Sequence, residues 1–400
     1  MPRSMTTLTA LIAETLPPPV FAPPQLEAYP RLSPFLKWPG GKTQELPAIA
    51  AGAPLLTGRF IDPFVGGGSV LLAAPAFVPA LVNDACRDLV ELYASAASSE
   101  PAFRQAIDGM ASAWDGMTDL APFYAELAHS FASYSPAATV GALDGQAGRL
   151  DALLESAGPE LATSLTGRAA HELPAKFERM RRLEVQHNQR LSPPDLLANV
   201  ESAVRSSFYM SVRARYNGAR LADQWGAVRS VDFLFLREFA YASMFRFNAR
   251  NEFNVPYGGI SYNRKSMGAK ARLLFGDEML ARLVNTQFDS RDFEPFLAAA
   301  ELTPDDFVFV DPPYDSDFSA YDNRPFDGAD QVRLERTLAR VPARVMVVIK
   351  DAPAIRALYS ADRWHVSEAP KTYMWTIKSR NERSATHLTI TNYPSVDSRE

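Results

Sequence analysis

Apolar and polar positions divide this chain into two kinds of text. Toward both ends, short apolar runs stop at turn residues: "GRFIDPF" (58–64), "PALVNDA" (79–85), "FVFV" (307–310), "ARVMVVIKD" (343–351) and "THLTITNYP" (386–394). Runs of this length bounded by Gly, Pro and Asp predict strands of a buried sheet. Between them the spacing lengthens to a helical period, as in "DLAPFYAELAHSFASY" (119–134), and an Arg-studded helical stretch over about 200–250 leads into a Gly/Asn-rich turn region. A helix is also predicted near 328–340. The pattern therefore predicts an α/β sheet built from both chain ends, with a mainly helical part inserted between them. The divisions fall as a Pro-rich arm (1–34), a first sheet part (35–95), an Ala-, Ser- and Gly-rich helical insertion (96–199), a recognition region (200–285) and a second sheet part (286–394). Ligands of such sheets bind beyond the carboxyl ends of the strands.

Composition sets outer bounds. The chain has 400 residues, 47% of them hydrophobic and 22% charged, which is a globular balance with length for more than one domain. No apolar run approaches the roughly 20 residues of a bilayer span. The start, "MPRSMTTLTALIAETLPPPVFAPP", shows no sustained apolar stretch or cleavage site, so a cytoplasmic protein is expected. Cys86 is the sole cysteine, and His129, His171, His187, His365 and His387 lack ligand spacing, so no disulfide or structural metal is expected. The formal charge of −5 argues against a polyanionic partner until it is resolved along the chain. Arg168 to Arg272 holds eighteen Lys/Arg against nine Asp/Glu, a balance of +9 that leaves −14 for the rest. Phosphate binding follows local charge, so nucleic-acid contacts are sought in this segment; solvated helix faces are the plain alternative.

"FLKWPGGKT" (35–43) ends like a phosphate loop but does not satisfy one. With Lys42 in the lysine slot, the first glycine belongs at position 36, which is Leu36, and Pro39 removes a backbone donor from the cradle. "FIDPFVGGGSVLL" (60–72) offers a strand, an acid, a glycine turn and an apolar run that can start a helix, although its glycines miss the dinucleotide spacing at Leu71. In "LVNDACRDLVELY" Asp84 ends the second strand. Two readings stand: a ribose-binding carboxylate or a helix N-cap.

"FVFVDPPYDSDFSAY" (307–321) carries the most chemistry. A buried strand delivers Asp311 to its carboxyl end, followed by Pro312, Pro313 and Tyr314. A carboxylate, a rigidly held Pro312 carbonyl and an aromatic face suit a planar aromatic amine: two acceptors for its two hydrogens and a ring to stack on.

In its motif order the chain resembles the Dam-like adenine-N6-specific DNA methyltransferases. That family runs K-W-x-G-G-K, E-P-F-x-G-x-G, a recognition region, then D-P-P-Y; here stand "KWPGGK" (37–42), "DPFVGGG" (62–68), the basic middle and "DPPY" (311–314). "FRFNARNEFNVPYGG" (245–259) resembles the family stretch ending F-N-x-P-[YF]-G. The likeness spans about 35–95 and 200–393. It implies a Rossmann-like α/β methyltransferase sheet with an inserted, mainly helical DNA-recognition domain, using S-adenosyl-L-methionine on double-stranded DNA. Two readings stand for its setting, an enzyme paired with a cognate restriction endonuclease or an orphan methyltransferase. Carried over by position, Trp38 and Lys42 contact the cofactor, Phe64 and Gly66 to Gly68 pass beneath its methionine part, Asp62 meets its ammonium, and Asp84 holds its ribose. Asp292 and Phe293 lie beside its adenine. Asp311, Pro312, Pro313 and Tyr314 form the catalytic site, which also borders the cofactor at Asp311, and Phe318 and Tyr321 complete the base pocket. Arg205, Arg213, Arg215 and Arg220 are candidates for phosphate, and Arg246, Arg250, Asn251 and Asn254 for the DNA-reading surface. Three positions depart from the family: Asp62 for glutamate, Asn251 for glycine and His387 for glutamate. The intact D-P-P-Y argues against an inactive DNA-binding module, while an RNA substrate stays open.

Overall fold

The computed structural model describes residues 24–132, 143, 145, 148–150, 152–313, 326–372 and 384–394. Seven strands form one sheet: β1 (Phe60–Asp62), β2 (Ala80–Asn83), β3 (Thr286–Asp289), β4 (Phe307–Val310), β5 (Arg344–Lys350), β6 (His365–Thr372) and β7 (Ser384–Thr391). They lie in the order β3-β2-β1-β4-β5-β7-β6. The first five are mutually parallel, and β7 runs antiparallel to both β5 and β6. β1 and β4 pair at the centre, with Phe60 opposite Phe307. The chain moves outward from β1 to β2 and β3, and outward the other way from β4, so the topological switch lies between these two strands.

Alternation along the central strands sorts two cores. Phe307, Phe309, Met346 and Val348 join a core shared with the helical middle of the chain. Val308, Val310, Val345, Val347 and Ile349 face a second core with Phe293, Leu334 and Trp364. With both faces covered, these strands read as unbroken apolar runs. The run after the glycine turn does not become a full helix; Leu71–Ala73 form one 3₁₀ turn. Pro75 and Pro79 follow at once, and neither can donate to a continuing helix.

The helical middle packs as one body around Trp114, which is fully buried. Its ring lies 4.3 to 6.0 Å from Phe239, Phe235, Tyr257 and Phe208. The Pro101–Gly116 helix, read from sequence as part of an insertion, thus shares a core with the Ala227–Phe239 helix and the turn region that follows it.

Candidate active site

The ends of β1, β2 and β4 open on a cavity of about 670 Å³ bounded by the 38–42 loop, the 62–67 turn, Asn83 to Cys86, Arg291 to Phe293, Asp311 to Pro313 and part of 326–333. The loop and the turn form one unit. Gly66 and Gly68 hold φ of +48° and +74°. A Cβ at Gly66 would stand 2.8 Å from Trp38 Cδ1, and one at Gly67 3.0 Å from Trp38 Cβ. Only glycine lets the indole lie on this turn. On its other side Trp38 meets the buried guanidinium of Arg237, 4.9 Å from the ring centre, which also donates to the Lys37 carbonyl.

Lys42 is only 2% exposed. Its backbone N–H donates to Ser69 Oγ at 3.0 Å, and its ammonium to the Gly40 carbonyl at 2.9 Å and to the Asp311 carboxylate. The lysine of the first motif and the acid of the last therefore form an ion pair at the cavity.

Two further carboxylates face it. Asp62 Oδ1 accepts from the Phe64 N–H at 2.9 Å. Burial holds its pKa well above the ordinary range; the Asp311 and Asp84 charges add to that, against the Phe64 N–H and Lys42. Asp84 accepts from the Gly66 N–H at 3.0 Å and the Cys86 N–H at 2.8 Å, one on each oxygen. Burial pushes its pKa up to about 6 in spite of both bonds. The following helix, Arg87–Ser98, takes Cys86 as its N-cap, so the capping alternative for Asp84 falls. A carboxylate oxygen engaged by one donor has a lone pair to spare for another.

Phe64, Phe293 and Phe326 form an aromatic wall with centroids 5.6 to 5.9 Å apart. Asp292 caps the Phe293–Ala299 helix, accepting from the Glu294 N–H at 3.0 Å. It is also gripped by Arg333 at 2.6 and 2.8 Å, whose guanidinium lies 4.3 Å from the Phe293 ring centre. Beyond Asp311, the Pro313 carbonyl accepts from Gln331 Nε2 at 3.2 Å. Tyr314, Phe318 and Tyr321 lie outside the described residues.

The sequence reading missed several of these positioning groups. Asn83 donates to the Pro63 and Arg291 carbonyls and accepts from the Arg291 N–H, all at 3.0 Å, tying the ends of β1 and β2 to the segment before Asp292. Gln331, Arg333 and Phe326 flank the start of the Gly328–Leu338 helix, whose capping box of Asp327 and Asp330 was a usable signal for its first turn. His387, where the family has glutamate, is buried and bonds Glu45 Oε2 through Nδ1 at 2.8 Å, just beyond the first motif.

The basic middle separates into two sets. Arg205 is buried, bonded to Glu201 at 2.7 Å, the Trp114 carbonyl at 2.9 Å and Thr118 Oγ1 at 3.1 Å. Arg215 is clasped by Asp232 at 2.9 and 2.7 Å, by Glu160 at 2.5 Å and by the Ala157 carbonyl at 2.7 Å. Arg213 donates to the Val255 carbonyl at 3.2 Å, and Arg220 to the Asn251 carbonyl at 2.8 Å. These four, all on the Pro193–Leu221 helix, serve the protein's own structure. Arg213 and Arg220, with Tyr209 and Asn217, support a hairpin in which Phe247 bridges Phe253. At its tip the Asn248 side chain accepts from the N–H groups of Arg250 and Glu252 at 2.9 and 3.0 Å, leaving Arg250 and Asn251 exposed. Arg246, also exposed, lies 3.3 Å from Asn254 Oδ1. Asn251 has φ +61°, a conformation that favours the family's glycine and that asparagine tolerates, so the backbone accommodates this departure.

A sheet with its switch point at an acid-lined cavity and a D-P-P turn on the central strand define a Rossmann-like methyltransferase architecture. The profile of the family described as D12 class N6 adenine-specific DNA methyltransferase matches residues 38–134 and 186–373, and the chain belongs to this family. It is an adenine-specific DNA methyltransferase. It is similar to the type II methyltransferase M1.LlaDCHI of Lactococcus lactis subsp. cremoris, 24% identical over 374 residues, covering 90% of this chain and 96% of that one. It is also similar to the type II methyltransferase M.MjaIII of Methanocaldococcus jannaschii, 24% identical over 326 residues, 78% of this chain and 81% of the relative. Against the retron Ec67 DNA adenine methylase of Escherichia coli it is 28% identical over 192 residues, 47% of this chain and 63% of the relative. Among the described residues no helix is long and apolar enough to cross a membrane.

Proposed function

We propose that this chain transfers the methyl group of S-adenosyl-L-methionine to the exocyclic N6 amine of an adenine swung out of double-stranded DNA. The observation that carries this is Asp311, set by a buried central strand beside a cavity that also presents Asp62, Asp84 and an aromatic wall. These groups fit the cofactor's chemistry: Asp62 for its ammonium, the spare lone pairs of Asp84 for ribose hydroxyls, and Phe64, Phe293 and Phe326 for its purine. When bound, the cofactor supplies an electrophilic methyl on a sulfonium centre.

The residues of the chain supply the rest. The amine lone pair is delocalised into the adenine ring, so nitrogen must be drawn toward a tetrahedral geometry. Asp311 and the Pro312 carbonyl accept its two hydrogens and stabilise the positive charge that develops there. Lys42 holds the Asp311 carboxylate by an ion pair, and Gln331 secures the turn through Pro313. Extrusion of the base costs a few kcal/mol, and stacking on Tyr314 is expected to return about 1–3 kcal/mol. The hairpin tip, with Arg246, Arg250, Asn251 and Asn254, is assigned to reading the bases around the target.

Expression in a host without DNA methylation, followed by modification-sensitive sequencing, tests the reading directly. A single methylated adenine motif is expected, and Asp311→Ala is expected to abolish it while cofactor binding persists. Near-normal turnover in that variant would sink the assignment. Tritiated-methyl transfer to DNA, RNA and protein separates this reading from an RNA-directed enzyme or an inactive binding module. A relative aligned along nearly the whole chain is named a type II methyltransferase, which supports the paired reading over the orphan one. A co-expressed endonuclease whose cleavage of DNA is blocked by this chain's methylation is the expected outcome under pairing, and its absence leaves the orphan reading.

A further inference from the structure

Residues 135–185 fall between the two matched segments of the family, yet they contain most of a 29-residue helix, Pro159–His187. This helix runs beside Pro193–Leu221, the helix that carries the recognition hairpin. Glu160 meets Arg215 at 2.5 Å and Glu172 meets Ser207 at 3.5 Å, so the two run antiparallel. The sides on which they meet differ in charge. Arg215 and Glu160 close one side with Asp232.

The Arg168 charge acts on Arg213, the residue that bonds the Val255 carbonyl at the base of the hairpin. Burial lowers the Arg213 pKa, and the Arg168 charge adds to it. Arg168, Glu172, Lys176 and Arg179 follow at spacings of four, four and three, which places them on one stripe of the helix. Lys176 is half-buried, and burial, then the Arg179 charge, lowers its pKa. Arg179 is exposed. No ion pair holds Lys176 or Arg179 among the described residues. Over 168–190 the balance is six Lys/Arg to three Glu.

Two cations on a helix outside the family's shared part, held by no ion pair among the described residues, complement a polyanion in charge. Lys176 and Arg179 are about 4.5 Å apart along the helix axis at about 1.5 Å per residue, of the order of one base-pair step of DNA at about 3.4 Å. We infer that the Pro159–His187 helix is a flank-binding element: Lys176 and Arg179 contact phosphates of the duplex outside the recognised sequence. This rests on the DNA-methyltransferase reading above and adds footprint rather than specificity, because phosphate contacts position a protein without reading bases.

The test uses the full chain, its Lys176→Ala/Arg179→Ala double variant, and fluorescein-labelled duplexes of random sequence, one about 12 and one about 40 base pairs long. Anisotropy titrations across salt concentrations measure the slope of log K against log salt. Each lost phosphate contact reduces that slope by about 0.9, so the variant is expected to lose nearly two units of slope, and roughly tenfold affinity, on the long duplex alone. Its thermal midpoint and its methylation of saturating DNA are expected to match the parent. Equal slopes for parent and variant on the long duplex, with folding intact, overturn the inference while leaving the methyltransferase reading standing. An equal loss on both duplexes also overturns it, since the contacts would then lie within the core site. If the parent methylates no DNA, the underlying reading fails instead.

Discussion

Arg215 and Arg250 lie in the same basic segment and have opposite fates. Arg215 is spent inside the fold, its guanidinium closed by Asp232 and Glu160, whereas Arg250 stands exposed at the tip of a hairpin whose backbone is held by Asn248. A parallel pair exists among the acids. Burial raises both Asp232 and Asp84 to about 6, but Asp232 is matched by a guanidinium and Asp84 by two backbone N–H groups at the edge of a cavity. Charge in the sequence is therefore a poor guide to ligand binding until each group's partner is known. The matched groups hold the helical body together, and those left facing solvent or a cavity are available for ligands.

The sharpest way to break this division is Arg215→Ala. Removing one partner of a buried pair leaves an uncompensated charge, so a loss of about 3–5 kcal/mol is expected in denaturant unfolding. With its partner gone, Asp232 has a still higher folded pKa. A raised carboxyl pKa gives stability that is present at low pH and lost as pH rises, so the cost should be smaller at pH 5 than at pH 8. A pH-independent loss would mean that the charge of Asp232 is not what is being left unpaired.

Arg250→Ala should do the reverse: stability within about 0.5 kcal/mol of the parent, with about 1–3 kcal/mol of sequence discrimination lost, seen as methylation at related sites. Unchanged preference removes Arg250 from the reading surface. For the acids, cofactor affinity measured by calorimetry should weaken as pH falls through about 6, where Asp84 takes up its proton and loses acceptor capacity. The loss approaches about tenfold per pH unit below that point if binding requires the carboxylate. Asp84→Asn should flatten this profile and Asp232→Asn should not. The smallest effect belongs to the hairpin backbone: Asn251→Ala should cost about 1 kcal/mol in thermal unfolding because of its left-handed φ, and Asn251→Gly almost nothing.

Much of the sheet was legible because its central strands are apolar on both faces and end at Gly, Pro or Asp. The two edge strands were not. β3 reads "TQFD" and β6 reads "HVSEAPKT", each with a partner on one side only, and polar text is what keeps such edges from pairing further. The cavity lining was legible wherever a motif is contiguous, as in the "DPP" of 311–313 and in "KWPGGK". It was hidden where function depends on a partner far along the chain. Arg333 reaches Asp292 across 41 positions, and Gln331 reaches back 18 to Pro313. Neither side chain carries a local signal of its partner. The same limit explains why Arg215 read as a phosphate ligand: Asp232 lies on the next helix, and nothing in the intervening text announces the pair. Arg205 differs, since its partner Glu201 stands four positions earlier on the same helix, where the sequence does carry the pair.

The seating of Trp38 on Gly66 and Gly67 has a consequence for how such enzymes diversify. An indole that fits only over a bare backbone makes two motifs, separated by nearly thirty positions, a single heritable trait. A recombinant that takes its first motif from one ancestor and its glycine turn from another survives only if tryptophan and glycines travel together. A substitution at either place is met by selection at the other. The exposed side chains of Arg250 and Asn251 at the hairpin tip have no comparable seat on a bare backbone, so no such coupling constrains them.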